Sequence, residues 1–83
     1  MMDNKTFRLR VIASDGLRAD ETVSSVILPA YDGKYGILRG HAPLILLLTA
    51  GDVSFTREDG SRDSVRVTGG VADVDGNVDV IIG

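Results

Sequence analysis

Four Asp-Gly pairs divide the chain into short segments of alternating polarity. They lie at Asp15-Gly16, Asp32-Gly33, Asp59-Gly60 and Asp75-Gly76, and Gly69-Gly70 adds a fifth break. Asp-Gly is among the strongest hairpin signals because both residues tolerate positive φ. Between these turns, apolar and polar residues alternate with a period of two, at residues 7–11, 53–56, 64–68 and 77–82. This pattern predicts strands with one buried face, with further strands at residues 23–28 and 71–74 and no helix.

Regularly spaced short strands with glycine-rich turns are typical of an all-β, antiparallel β-sandwich or flattened barrel. A length of 83 residues is enough for one small domain with one core. We expect residues 1–6 to be a flexible tail and residues 7–83 to form the domain.

The composition excludes several classes of protein. A formal net charge of −3 argues against a nucleic-acid binder, which normally has a basic face. The absence of cysteine removes any disulfide framework or thiolate metal site. The longest apolar run, residues 44–48, is far below the roughly 20 residues that cross a bilayer, and the first five residues lack the apolar segment of a signal peptide. We therefore expect no direct membrane insertion, and any membrane association to go through a partner protein.

The apolar run Leu44-Ile45-Leu46-Leu47-Leu48 is the exception to the alternating pattern. Successive side chains of a strand point to opposite faces. If Leu44, Leu46 and Leu48 share one face, Ile45 and Leu47 must share the other. One set fills the core, and the other set faces outward as an apolar patch that marks a protein interface, unless loops or the tail cover it.

Residues 32–44 contain three glycines, Pro43 and His41, the only histidine. Glycine permits positive φ and proline fixes its own φ, so this segment predicts a shaped loop that serves as a contact surface. His41 has no Gly-x-Ser-x-Gly elbow to act with, and we interpret it as a loop or interface residue rather than a catalyst. A hydrolase that uses His41 remains an alternative.

The acidic residues of segment 73–79 suggest calcium binding, but the spacing differs from that of an EF-hand loop. A hairpin closed by Gly76-Asn77 explains them more simply. No phosphate-binding glycine motif occurs, so nothing indicates nucleotide binding. From this and from the interpretations of His41 and segment 73–79, we expect no catalytic residue, metal or cofactor.

The same loop carries a family resemblance. Its sequence resembles the pattern acidic-Gly-x-x-Gly-Ile-x-x-Gly-His-Ala-Pro-Leu of the epsilon subunit of F-type ATP synthases, and the match extends in register from about Phe7 to Ile82. Segment 69–74 and Gly76-Asn77-Val78 resemble the family's later motifs. The resemblance implies a sandwich of two sheets of about five strands each. It also implies a non-catalytic central-stalk (rotor) subunit that links gamma to the c-ring and couples ion flow to ATP synthesis.

The resemblance further implies two contact surfaces and a location. The c-ring contact would comprise Tyr31, Asp32, Gly33, Lys34 and His41, and the gamma contact Ala13, Ile45, Leu46 and Asp52. Lys34 stands where many members have an acidic residue, and Arg39 where many have proline. The expected location is the cytoplasmic face of a bacterial inner membrane, or an organelle membrane, reached through the complex.

Typical members continue into two C-terminal helices that inhibit ATP hydrolysis, whereas this sequence ends directly after the last predicted strand. We therefore expect it to couple the rotor without that inhibition. The alternative from another class is a free-standing β-sandwich that binds a protein or a small ligand. A carbohydrate or ligand site would need a concave aromatic platform, and the chain has only Phe7, Tyr31, Tyr35 and Phe55 to build one.

Overall fold

The computed structural model describes residues 5–82 and consists there of eight strands without a helix. The strands are β1 Phe7–Ala13, β2 Gly16–Ala30, β3 Gly33–Leu38, β4 Leu44–Leu48, β5 Gly51–Arg57, β6 Arg62–Val67, β7 Gly70–Asp75 and β8 Asn77–Ile81. The prediction of an all-β protein is confirmed. The predicted flexible tail falls largely on residues 1–4, which lie outside the described residues, as does residue 83.

All four Asp-Gly pairs lie at hairpin turns, as predicted. They join β1 to β2, β2 to β3, β5 to β6 and β7 to β8. In each pair only the glycine has positive φ, for example +74° at Gly76, and within residues 5–82 no other residue type does. Glycine therefore supplies the unusual backbone conformation of each turn, and aspartate does not use its tolerance of it.

The long strand β2 belongs to both layers of the molecule. Its residues 16–23 pair with β1, whereas residues 23–30 pair with β3 and β5, with a register shift next to Val23. The five-stranded layer comprises the start of β2, then β1, β8, β7 and β4; the four-stranded layer comprises β3, the end of β2, β5 and β6. Leu48 of β4 pairs with Ala30 at the end of β2. The strands of the five-stranded layer are therefore joined to β2 at both edges and form a closed barrel. The fold is a flattened barrel of eight strands. Because β2 contributes to both layers, the layers have five and four strands, where the family resemblance implied about five in each.

One pair departs from the antiparallel prediction. Strands β1 and β8 run parallel, with Leu9 opposite Val78 and Ile12 opposite Ile81. Parallel neighbours need a long connection, and here all the strands between them provide it. The backbone N–H of Arg8 also donates a hydrogen bond to Asn77 Oδ1 at 3.0 Å, between residues 69 positions apart in the sequence.

The core is formed by the inward-facing residues of both layers, and none of the buried residues in the described range is polar. The strand β4 shows the predicted division of its faces. Leu46 and Leu48 are buried, with 7% and 1% of their surface exposed, and Leu44 packs against the core. Ile45 and Leu47 are 71% and 64% exposed. The prediction that this apolar run serves two surfaces is therefore confirmed.

The segment predicted to be a loop is partly a strand. Residues 33–38 form β3 and pair with β2 without a register shift. Tyr35 packs against the core and Ile37 is buried within it, so an alternating pattern is present beneath the glycines. Gly36 does not interrupt the strand because its φ is not positive and it lies directly opposite Ile27. Only residues 39–43 connect β3 to β4 as a loop.

Candidate protein-interaction surface

A row of apolar side chains crosses the outer face of the five-stranded layer. We call it the apolar row. Each member lies directly opposite the next on the neighbouring strand, so that all share one face. In spatial order the row is Leu17, Ile12, Ile81, Val71 and Leu47.

The apolar row is open to solvent. Leu17, Ile81 and Leu47 are 56%, 52% and 64% exposed, and Ile12 and Val71 are half-buried between them. Neighbouring strands lie about 4.8 Å apart, so five strands carry the row over roughly 19 Å. A contiguous exposed apolar strip of this kind marks a protein interface more often than a free surface.

A charged row runs beside the apolar row on the same face, and four of its charges form two ion pairs, while the exposed Asp73, opposite Asp79, extends the row. The guanidinium of Arg10 makes two hydrogen bonds to Asp79, at 2.9 and 3.0 Å, across the β1–β8 pair. The guanidinium of Arg8 makes two to Asp20, at 2.6 and 2.7 Å. The hydrogen bond from Arg8 lowers the pKa of the Asp20 carboxyl, so the carboxylate stays ionised. Because Arg8, Arg10, Asp20 and Asp79 already have partners, the exposed apolar side chains are the main feature of this surface that a partner protein could cover.

The structure does not bring the four predicted gamma-contact residues together. Ile45 lies on the outer face of β4, two residues before Leu47, and faces Asp73. Leu46 lies in the core, so its side chain is not on any outer surface. Ala13 is half-buried at the end of β1. Asp52 belongs to the four-stranded layer, where its carboxylate lies 3.8 Å from the Arg66 guanidinium.

The predicted c-ring residues fall at the two ends of β3. Tyr31 and Asp32 form the β2–β3 turn, and Gly33 and Lys34 begin the strand. His41 follows the other end of β3. At about 3.3 Å per residue, the two ends of this strand are roughly 17 Å apart. The turn itself is held by a hydrogen bond of 2.9 Å from the Tyr35 hydroxyl to the Asp32 carboxylate, which raises the pKa of Tyr35.

His41 takes part in the structure of the β3–β4 loop. Its backbone N–H donates to the carbonyl oxygen of Leu38 at 3.1 Å, and its Nδ1 lies 2.8 Å from the carbonyl oxygen of Ala42. A carbonyl only accepts, so Nδ1 carries the proton in this arrangement. These contacts give His41 the loop-forming role that the sequence indicated.

Two of the four residues of segment 73–79 that suggested calcium have other partners. Asp79 is paired with Arg10, and Asn77 accepts from the Arg8 backbone. Within residues 5–82, no group of three His, Asp or Glu side chains converges on a possible metal position. The predicted hairpin is present, with Asp75 opposite Asn77 across Gly76.

The aromatic side chains do not assemble into a ligand platform. Phe7 and Phe55 are in the core, at 6% and 4% exposure, and Arg57 covers the Phe55 ring at 5.2 Å from its centroid. Tyr31 stands exposed at the β2–β3 turn. The requirement for a carbohydrate-type site is therefore not met by these residues.

Sequence reasoning missed four of the five residues of the apolar row, namely Leu17, Ile12, Val71 and Ile81. A signal was present at Ile81, which occupies a position on the wet side of β8, between the buried residues Val80 and Ile82. The isolated signal could not reveal the row, because its members come from five strands that are brought together only by tertiary pairing.

The comparisons with known proteins agree with this fold. Residues 6–82 match the family described as ATP synthase, Delta/Epsilon chain, beta-sandwich domain. The ATP synthase epsilon chain of Chlorobium limicola is 37% identical over 79 residues, which cover 95% of this chain and 90% of the relative. That of Campylobacter fetus subsp. fetus is 32% identical over 77 residues, covering 93% of this chain and 60% of the relative.

A solved structure with the same fold comes from the Euglena gracilis mitochondrial ATP synthase, determined as OSCP/F1/c-ring in rotational state 1. Its matching chain has a TM-score of 0.87 and 25% identity, and the match covers 99% of this chain and 53% of that one. The described residues contain no helix long and apolar enough to cross a membrane. The chain belongs to the family of the ATP synthase delta/epsilon chain β-sandwich domain.

Proposed function

We propose that this chain is a non-catalytic rotor subunit of an F-type ATP synthase, which links gamma to the c-ring and thereby couples ion flow to ATP synthesis. Family membership and the similarity to a chain of an F1/c-ring assembly support this proposal. The observation that carries it is the apolar row, since a row of exposed aliphatic side chains is suited to packing against a protein.

The gamma subunit is the proposed occupant of the apolar row. The row is long enough to span several elements of a partner, and four of its flanking charges form two ion pairs with each other. Packing there requires no rearrangement of the Arg8–Asp20 and Arg10–Asp79 pairs. Ile45, which stands beside the row, joins the same contact, whereas Leu46 supports it from the core.

The β2–β3 turn, with Asp32, Gly33 and Lys34, is the proposed contact with the c-ring. The Asp32–Tyr35 hydrogen bond fixes its shape. Torque has to pass from this end to the gamma surface, and β2 connects the two because it pairs with β1, β3, β4 and β5. A close-packed interior deforms little under load. The chain would thus be peripheral to the membrane, at the cytoplasmic face in a bacterium.

Binding of purified gamma subunit from the same source tests the proposal. The variant Leu47→Glu places a carboxylate in the middle of the contact, where it would be desolvated without a partner. The matched control is Ile27→Glu, because Ile27 is 46% exposed on the four-stranded layer. We expect Leu47→Glu to weaken gamma binding by about tenfold or more and Ile27→Glu to leave it unchanged.

Circular dichroism of both variants establishes that they are folded. Equal loss of binding in both variants would place the gamma contact elsewhere. A folded wild-type chain that does not bind gamma at all would overturn the rotor proposal and leave a free-standing binding module as the better description.

A further inference from the structure

The apolar row continues beyond Leu47 to Tyr31. The backbone N–H of Tyr31 donates to the carbonyl oxygen of Leu47 at 3.3 Å, and the N–H of Thr49 donates to Pro29 at 2.9 Å. These two bonds flank the pair Ala30–Leu48, as they do around a non-hydrogen-bonded pair of an antiparallel ladder. Tyr31 is therefore the residue opposite Leu47.

The side chains of Tyr31 and Leu47 point to the same face. Ala30 and Leu48, the preceding pair, are both buried, with 6% and 1% exposure. Leu47 therefore points outward by alternation along β4, and Tyr31, the first residue of the β2–β3 turn, is exposed on the outside of the barrel beside it. The exposures agree, at 75% for Tyr31 and 64% for Leu47.

The extended row thus begins on β2 and ends at the residue that follows β2. It leaves β2 at Leu17, crosses β1, β8, β7 and β4, and returns to β2 just beyond its last residue. Tyr31 adds the largest side chain of the row and the only aromatic one. Aromatic residues with a polar tip are enriched among the residues that dominate binding at protein interfaces.

We propose that Tyr31 is the terminal anchor of the gamma-binding surface and packs on the same partner as Leu47, rather than on the c-ring. This inference rests on the proposed function. It divides the β2–β3 turn between two partners: Tyr31 faces the surface of the apolar row, whereas Asp32 is held toward Tyr35 on the other side of the turn by its hydrogen bond.

The affinity of the 83-residue chain for purified gamma subunit tests the inference, measured for Tyr31→Ala, Tyr31→Phe, Leu47→Ala and Leu38→Ala. Leu38 is the control, because it is 64% exposed like Leu47 but lies at the far end of β3. We expect Tyr31→Ala and Leu47→Ala each to raise the Kd by about fivefold or more, and Leu38→Ala and Tyr31→Phe to leave it near the wild-type value.

Combining Tyr31→Ala with Leu47→Ala adds an internal check. Side chains directly opposite each other share contacts, so the double variant should lose less affinity than the product of the two single losses. Strict multiplication of the two effects would contradict a shared contact.

The outcomes separate the two proposals. Normal gamma binding by Tyr31→Ala, together with weakened binding by Leu47→Ala, overturns the role of Tyr31 and leaves the rotor proposal standing. If Tyr31→Phe binds gamma as weakly as Tyr31→Ala does, the proposal that the Tyr31 ring contributes by packing is overturned. Absence of gamma binding by the folded wild-type chain overturns both proposals.

Discussion

Replacing Leu46 and Leu47 one at a time by alanine should have opposite effects on stability and on binding. The two residues are neighbours in β4 and lose the same atoms on substitution. Leu46 is 7% exposed and faces Ala72 inside the barrel, whereas Leu47 is 64% exposed and faces Val71 on the outside. The comparison therefore isolates the effect of the face from that of the side chain.

The stability change follows from burial. Truncating a buried leucine to alanine removes its transfer free energy and leaves a cavity, which together cost about 2–5 kcal/mol. A domain of this length has a free energy of unfolding of about 4–12 kcal/mol. Leu46→Ala should thus lose a large part of the stability, and 2 kcal/mol alone lowers the Tm by roughly 8–16 °C. Leu47→Ala should stay within about 0.5 kcal/mol of the wild type.

The binding change has the reverse order. Full burial of a leucine side chain contributes about 1.5–3 kcal/mol. Since 64% of Leu47 is still exposed in the free chain, gamma can bury at most that share, about 1–2 kcal/mol. Its removal should weaken binding by about 5- to 30-fold. Leu46→Ala should bind gamma normally at temperatures where it is folded.

Urea unfolding followed by far-ultraviolet circular dichroism gives the stabilities, and calorimetric titration with gamma gives the affinities. The reasoning fails if Leu47→Ala loses 2 kcal/mol or more, or if Leu46→Ala unfolds like the wild type. Either result would mean that the two faces of β4 are assigned the wrong way round.

Two further predictions concern the backbone and the charged row. In the same urea assay, Gly70→Ala should destabilise the fold by about 2 kcal/mol or more, because φ of Gly70 is +135° and a Cβ there would collide with the Ile81 carbonyl oxygen. Gly36→Ala should be neutral or stabilising, since φ of Gly36 is not positive and nothing lies within 4 Å of the added Cβ. Asp20→Asn should reduce the acid sensitivity of folding: the lowered pKa of Asp20 gives stability that is present above the unfolded-state pKa of about 3.9 and is lost as the pH falls through the folded-state value. Stability curves of Asp20→Asn and wild type that stay parallel across that acid range would contradict a folded-state role of the Arg8–Asp20 pair.

Local features of the sequence predicted the local structure well. Each of the four Asp-Gly pairs correctly predicted a hairpin turn. The positive φ of a turn is a local requirement of the backbone that glycine meets, whatever the distant residues are. The strand β3 was missed because three glycines within residues 32–44 suggested a loop. At Gly36 the strand pairing with β2 overrides that low propensity, with Ile27 as the opposite residue.

Features that depend on distant pairing could not be predicted. The parallel pairing of β1 with β8 joins the two ends of the described chain, and no local pattern encodes it. The apolar row depends on that pairing, since Ile12 and Ile81 become neighbours only there. Leu46 was placed among the gamma contacts by the family resemblance; alternation separates Leu46 from Ile45, but only the assembled barrel shows which of them lies inside.

The position of β8 between β1 and β7 has a consequence for synthesis of the chain. Until residues 77–81 leave the ribosome, β1 and β7 each keep an unpaired edge. The partner of β1 at this edge, β8, is synthesised about 69 residues after it. Contacts this distant in sequence form slowly, and unpaired strand edges promote intermolecular association. Removing only β8 should therefore increase aggregation of the chain, although seven of the eight strands remain. A comparison of expression and sedimentation with and without residues 77–82 would measure how far solubility depends on this last strand.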